Sequence, residues 1–361
     1  MAIQQQITHR QFISLIIVFF LGAFTVVGFH TVAPAGTSGW LAIAIAMTVG
    51  LILALIINTL HNIFPGKTLI EYSQIILGKP LGKLLCFFYL LYFIYLFSLI
   101  TSDLALVYTN MFYTRTPVWV FYLSLYFLCL LVALGGLLAV GRMGELSTPL
   151  LALVVFVVTL SMLFSPNISF AHLFPLFIHE YKPILQGAWL NFSFLFGNII
   201  IFAMFIPYVQ GKQRVLQDLA KGILLSGGLV ILISLLNLLA FGIERLEDTT
   251  YTSALMLRII EVGGFIERIE SIIVAAWLLV LFVEGLVVFY ATGLAVSQIL
   301  NLKNIQITWI PIIVLTFFIN LFILNSEFAQ RYVDTAITPY SFVLQLAVPI
   351  ILLLLAKLEN L

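Results

Sequence analysis

Charge is what this chain has least of: Asp, Glu, Lys and Arg make up only 9% of its 361 residues. Soluble domains carry about 25%. With 63% hydrophobic residues and a mean hydropathy of +1.18, the composition excludes a water-soluble fold and implies an integral membrane protein. Sixteen basic and fifteen acidic residues nearly cancel, so no net field exists to attract nucleic acid. Cysteine is almost missing. Cys86 and Cys129 each sit in an apolar run, where neither is half of a metal motif and both read as small buried hydrophobes. No HExxH, GxSxG or other catalytic constellation occurs, and the intramembrane polar groups are scattered. The expectation is a non-enzyme without a cofactor. No extramembrane stretch is long enough for a second core, so residues 1–361 read as a single polytopic domain. The short polar start, Met1 to Arg10, has no small-residue cleavage pattern after it and reads as the lead-in to a retained first helix.

Between Arg10 and Lys67 there is no charged residue at all, and Ala35-Gly36-Thr37-Ser38-Gly39 supplies the turn that splits this run in two. Counting such stretches predicts ten membrane helices, at about 11–33, 39–60, 83–107, 117–139, 143–164, 184–208, 217–242, 271–298, 305–324 and 336–356. If the N-terminus is cytoplasmic, inner segments hold ten basic residues and outer segments six. The positive-inside bias then places both termini in the cytoplasm.

Two connections have a character of their own. Thr68 to Glu71 matches a capping box and predicts a short amphipathic helix on the inner surface. The outer stretch from Glu244 to Glu270 carries six acids and three Arg, with Leu255, Ile259, Ile260 and Phe265 forming a second partly amphipathic pattern. It reads as a solvated cap over the outer mouth or as a subunit-docking surface.

Glycines interrupt the first and sixth of the ten segments near their middles, at Gly22 and Gly197. Starting near residue 11, Gly22 lies about 16 Å into the membrane at about 1.5 Å per residue. These two helices are equivalent if the chain is built of two five-helix repeats, about 8–165 and 183–357, the second inverted relative to the first. Matched interruptions in two halves point to a transporter-type binding site, because an unwound backbone survives in a membrane only where it lines a polar cavity. Freed amides could hold a carboxylate and freed carbonyls an ammonium group. The candidate site comprises Gly22, Ala23, Phe24 and Thr25 in helix one, Phe194, Gly197 and Asn198 in helix six, and Tyr92 and Tyr95 from an aromatic stripe in helix three. Glu284, central in helix eight, joins them as a group for proton uptake or for pairing with a ligand ammonium. Close-packing glycines and a hydrogen-bonded Glu284 are the plainer alternatives. Asp103 falls near the outer end of helix three, as an access-path group or a solvated helix end. Arg142 and Glu145 read as an interfacial ion pair at the start of helix five, and His30 carries no clear signal.

Several stretches resemble the B subunits of spore germinant receptors. They are Gln6-Ile7-Thr8-His9-Arg10-Gln11-Phe12, Thr68-Leu69-Ile70-Glu71-Tyr72 with Ile76-Leu77-Gly78-Lys79-Pro80-Leu81-Gly82-Lys83, Gly141-Arg142-Met143-Gly144-Glu145-Leu146, and Val348-Pro349. The likeness spans essentially the whole chain, and that family is similar to the amino acid–polyamine–organocation transporters. What the resemblance implies is an all-α membrane protein of LeuT-like fold, with two inverted five-helix repeats and discontinuous helices one and six. It implies a nutrient-sensing subunit that binds an amino acid or similar germinant at the membrane midplane. Its partners would be an A subunit and a lipoprotein C subunit in the spore inner membrane. The alternative is a proton-coupled permease for an amino acid or amine. At the first break, transporter relatives commonly have two glycines close together, whereas Gly22-Ala23-Phe24-Thr25 has one glycine and a Phe. That departure implies a smaller site, or a ligand other than a free α-amino acid.

Overall fold

The structure is a computed structural model, and it describes residues 6–22, 35–111, 113–163, 168–174, 180–211, 214–248 and 269–358. The predicted interruption after Gly22, with Ala23, Phe24, Thr25 and His30, lies outside the described residues, as does most of the acidic outer stretch. The described chain is nearly all helix. Eight helices are long and apolar enough to cross a membrane, and two shorter apolar ones, His9–Gly22 and Val118–Leu134, bring the order to ten.

In chain order these are α1 (His9–Gly22), α2 (Gly39–Ile63), α3 (Leu69–Met111), α4 (Val118–Leu134) and α5 (Gly136–Leu163). The second half has α6 (Tyr181–Phe194), α7 (Val215–Asp248), α8 (Ile269–Ile299), α9 (Trp309–Phe322), α10 (Glu327–Phe342) and α11 (Val348–Leu358). The last two form one span joined through a π-helical turn, Val343–Ala347.

Burial divides the bundle into a centre and a scaffold. The most apolar window of α8 is 89% buried, whereas that of α5 is 17% buried, so α8 is an inner helix and α5 largely faces lipid. α1 packs against α5, α7 and α8, and α8 also packs along α3. Because lipid is as apolar as Leu, the outward Phe127, Leu153 and Phe156 need no protein cover.

The capping-box expectation is met in detail. Thr68 caps a short helix: its backbone N–H donates to Glu71 Oε2 at 3.0 Å, and the Glu71 N–H donates to Thr68 Oγ1 at 3.4 Å. Gly78, at φ 73° and ψ 169°, separates that helix from the third span. Only a residue without a Cβ adopts such a backbone without strain.

The Arg142–Glu145 reading is corrected. The fifth span begins at Gly136, not near residue 143, because Gly135 and Gly136 make the turn from α4. Glu145 therefore lies well inside the helix, where Arg10 Nε binds its Oε1 at 3.1 Å. The spacing argument failed because it assumed a local partner, while α1 packs on α5.

The discontinuity of helix six is plain. α6 stops at Phe194, Leu195 turns aside at φ −118° and ψ −81°, and a buried 3₁₀ run of nine residues, Phe196–Met204, carries on. Such runs seldom exceed about four residues, and one in mid-span marks a hinge or strain. Its far end pairs with the start of the chain. The Ile7 N–H donates to Tyr208 O at 3.0 Å and the Gln210 N–H to Ile7 O at 2.9 Å, tying the first helix to the sixth.

Candidate functional site

A cavity of about 50 Å³ lies beside the helix-six break. A water molecule needs about 10–15 Å³ by this measure, so the space holds a few waters. Gly22 lines it from α1, and Tyr92, Tyr95 and Asp103 from α3. Ser193, Phe194 and Asn198 line it from the sixth span, Glu284 from α8, and Thr338 and Ser341 from α10. The sequence-predicted Gly22, Tyr92, Tyr95, Phe194, Asn198 and Glu284 are thus brought together. Gly197 is not in the lining. It packs behind the wall, where an added Cβ would overlap the Gln345 side-chain amide.

The wall is organised by a hydrogen-bonded clasp. Tyr92 donates its hydroxyl proton to Asn198 Oδ1. Gln345 Nε2 reaches Tyr92 Oη at 2.6 Å, Ser193 O at 2.8 Å and Asn198 Oδ1 at 2.9 Å. Asn198 Nδ2 donates to Phe194 O at 2.8 Å, satisfying a carbonyl freed where α6 ends. The side chains of helices three, six and ten thereby replace the backbone ladder that the break interrupts, as a membrane interior requires.

Gln345 was absent from the candidate residues. Its signal was available: Thr338, Ser341 and Gln345 recur at steps of three and four along an otherwise apolar last span. A polar stripe there faces protein, not lipid. The π-helical turn, a feature found mostly at functional sites, aims Gln345 inward, and the residue is fully buried. Ser193 is also new, buried with an Oγ that has no partner among the described residues.

Glu284 is 6% exposed and sits against Gly22 Cα, where an added Cβ would overlap its carboxyl. Asp103 is half-buried at the other end of the cavity. The Gln330 amide, oriented to match its neighbours, donates to Asp103 Oδ1 at 3.2 Å and accepts from Ser102 Oγ at 2.8 Å. The cavity thus runs between a helix break and a buried acid, with a few polar groups set in a mostly apolar wall.

A chain of aromatic rings packs between α3, α8, α9 and the end of the 3₁₀ run. Phe97 and Phe289 lie 5.1 Å apart, Phe289 and Trp309 5.0 Å, Tyr290 and Trp309 5.5 Å, and Phe205 and Tyr290 6.2 Å. Trp309 seats on Gly293, where any Cβ would overlap the indole. Thr68 Oγ1 donates to Gln298 Oε1 at 2.7 Å, coupling the short helix that Thr68 caps to the end of α8.

The family model described as "Spore germination protein" matches residues 6–329. The chain belongs to the spore germination protein family. It is 26% identical to Spore germination protein YndE of Bacillus subtilis (strain 168) over 83% of each chain. Spore germination protein B2 of the same organism is 25% identical over 99% of this chain and 97% of its own length. Spore germination protein GerQB of Bacillus cereus is 24% identical over 90% and 88%. The fold is similar to that of Mhp1, a nucleobase-cation-symport-1 family transporter, in a closed conformation with bromovinylhydantoin bound. That match has a TM-score of 0.63 at 12% identity and covers 95% of this chain and 78% of the transporter. The protein is thus a multi-pass membrane protein with the expected LeuT-like arrangement.

Proposed function

We propose that this chain is the germinant-sensing membrane subunit of a spore germinant receptor and binds its ligand in the cavity between the helix-six break and Glu284. The observation that carries the reading is the nine-residue 3₁₀ run beside a mid-span cavity lined by two acids, in a family of spore germination proteins. The ligand is a small nutrient of amino-acid size. Its site comprises Gly22, Tyr92, Tyr95, Phe194, Asn198 and Glu284, with Ala23, Phe24 and Thr25 continuing it from the first helix.

The chain acts as one domain of two repeats, with both termini in the cytoplasm, in the spore inner membrane. A and C subunits receive its output. Sensing rests on a balance between two states of the helices around this cavity. A ligand shifts that balance only through its differential affinity for them. The end of α8 then carries the change through Gln298 to the short helix that Thr68 caps.

Binding and uptake by the purified chain in proteoliposomes, over a panel of small nutrients with and without a pH gradient, test this. Saturable binding without accumulation, lost in Gly22→Leu, is the expected result. Gradient-driven accumulation would overturn it in favour of a permease.

A further inference from the structure

The cavity has a one-sided chemistry. Its titratable lining apart from tyrosine is two acids, Glu284 and Asp103, and no Lys, Arg or His lines it among the described residues. Glu284 joins no ion pair among the described residues. A carboxylate removed from water is costly unless a cation accompanies it. Asp103 is held on station by the Gln330 amide. Ser193, 5% exposed, adds to the same lining a hydroxyl oxygen that has no partner among the described residues. The nearby amide and phenol donors are taken: Gln345 Nε2, Tyr92 Oη and Asn198 Nδ2 are spent within the clasp.

We propose that the ligand is a small amine whose ammonium charge is obligatory, recognised by Glu284, Asp103 and Ser193. This rests on the reading that the cavity is the ligand site. An ammonium group has three donors and no acceptor. It therefore matches two carboxylates and a free hydroxyl oxygen. Its alkyl part packs on Leu96, Leu99, Ile100 and Leu281, the aliphatic part of the lining. A ligand carboxylate held among these groups would face two acids and, among the described lining residues, no Lys, Arg or His, so an anion of the same size is disfavoured.

The full chain in lipid nanodiscs, titrated by tryptophan fluorescence with propylamine, propanol, propionate and alanine, tests the proposal. Propylamine should bind saturably where propanol and propionate do not. Glu284→Gln, which keeps the side chain's size, should weaken propylamine by about tenfold or more, and Asp103→Asn should weaken it too. Melting curves of both variants establish that they are folded. Propylamine binding no better than propanol, or binding unchanged in both variants, would overturn the proposal. Ser193→Leu separates the two levels of the argument. Alanine binding that Ser193→Leu abolishes but Glu284→Gln spares would remove the ammonium requirement and leave the cavity as the site. Amine binding that Ser193→Leu leaves untouched would remove both.

Discussion

Gly22 in the first helix is the seat of the Glu284 carboxyl in the eighth. No side chain fits between them, since a Cβ at position 22 would overlap the carboxyl itself. The glycine thus admits an acid to mid-span depth. Close approach of this kind is a common use of glycine in membrane helices.

Gly22→Ala should therefore push Glu284 off its seat. Overpacking of this size costs about 1–3 kcal/mol. The expected outcome is a chain that still inserts and melts a few degrees lower while losing ligand binding. Thermal unfolding in detergent beside a binding titration checks both halves. Normal binding in Gly22→Ala would detach the glycine from the site.

The clasp around Gln345 gives a second expectation. Gln345→Leu removes three hydrogen bonds to groups on helices three and six. At about 0.5–1.5 kcal/mol each, the loss should reach about 2–4 kcal/mol. Tyr92→Phe removes fewer, and the two changes should be less than additive because they share a bond. A double-mutant cycle read by melting temperature measures this. Strict additivity would mean that the clasp does not act as a unit.

How much of this was legible beforehand differs by residue. The number of spans followed from charge-free runs, because crossing hydrocarbon sets a length that sequence displays directly, but the fifth starts at Gly136, seven residues earlier than those runs place it. The helix-six break was readable from Gly197 and Asn198, although the element after it is a 3₁₀ run and Gly197 packs behind the cavity. Asp103 looked like a helix end and proved to line the site, since hydropathy gives depth but not the face a residue presents. Gln345 lies some 250 positions from Tyr92 in sequence, at |i−j| = 253, and no local pattern pairs such residues. Arg10 and Glu145 make the same point, because a tertiary contact displaced the nearer Arg142.

That ion pair carries a third expectation, of a small effect. Arg10 is 79% exposed and Glu145 32% exposed at the side chain, so solvent and salt screen their attraction. Glu145→Gln should change stability by less than about 1 kcal/mol. Melting temperatures at low and high salt check it. A large, salt-insensitive loss would show that Glu145 is more deeply engaged than its exposure indicates.

The last expectation separates sensing from output. Thr68 caps the short helix before the third span and also holds Gln298 at the end of α8, the helix that carries Glu284. Gln298→Leu breaks the bridge and leaves the cap intact, whereas Thr68→Val breaks both. A lost N-cap costs about 1 kcal/mol, so Thr68→Val should also loosen that short helix, and Gln298→Leu should not. If the bridge relays the state of the cavity, Gln298→Leu should bind ligand with unchanged Kd while spores carrying it germinate more slowly. Thr68→Ser, which can keep both contacts, should behave as the unaltered chain does. Germination kinetics of the three variants, set beside binding by the purified proteins, decide the matter. Normal germination in Gln298→Leu would leave the bridge as a structural tie alone, and the output would have to leave the bundle by another helix.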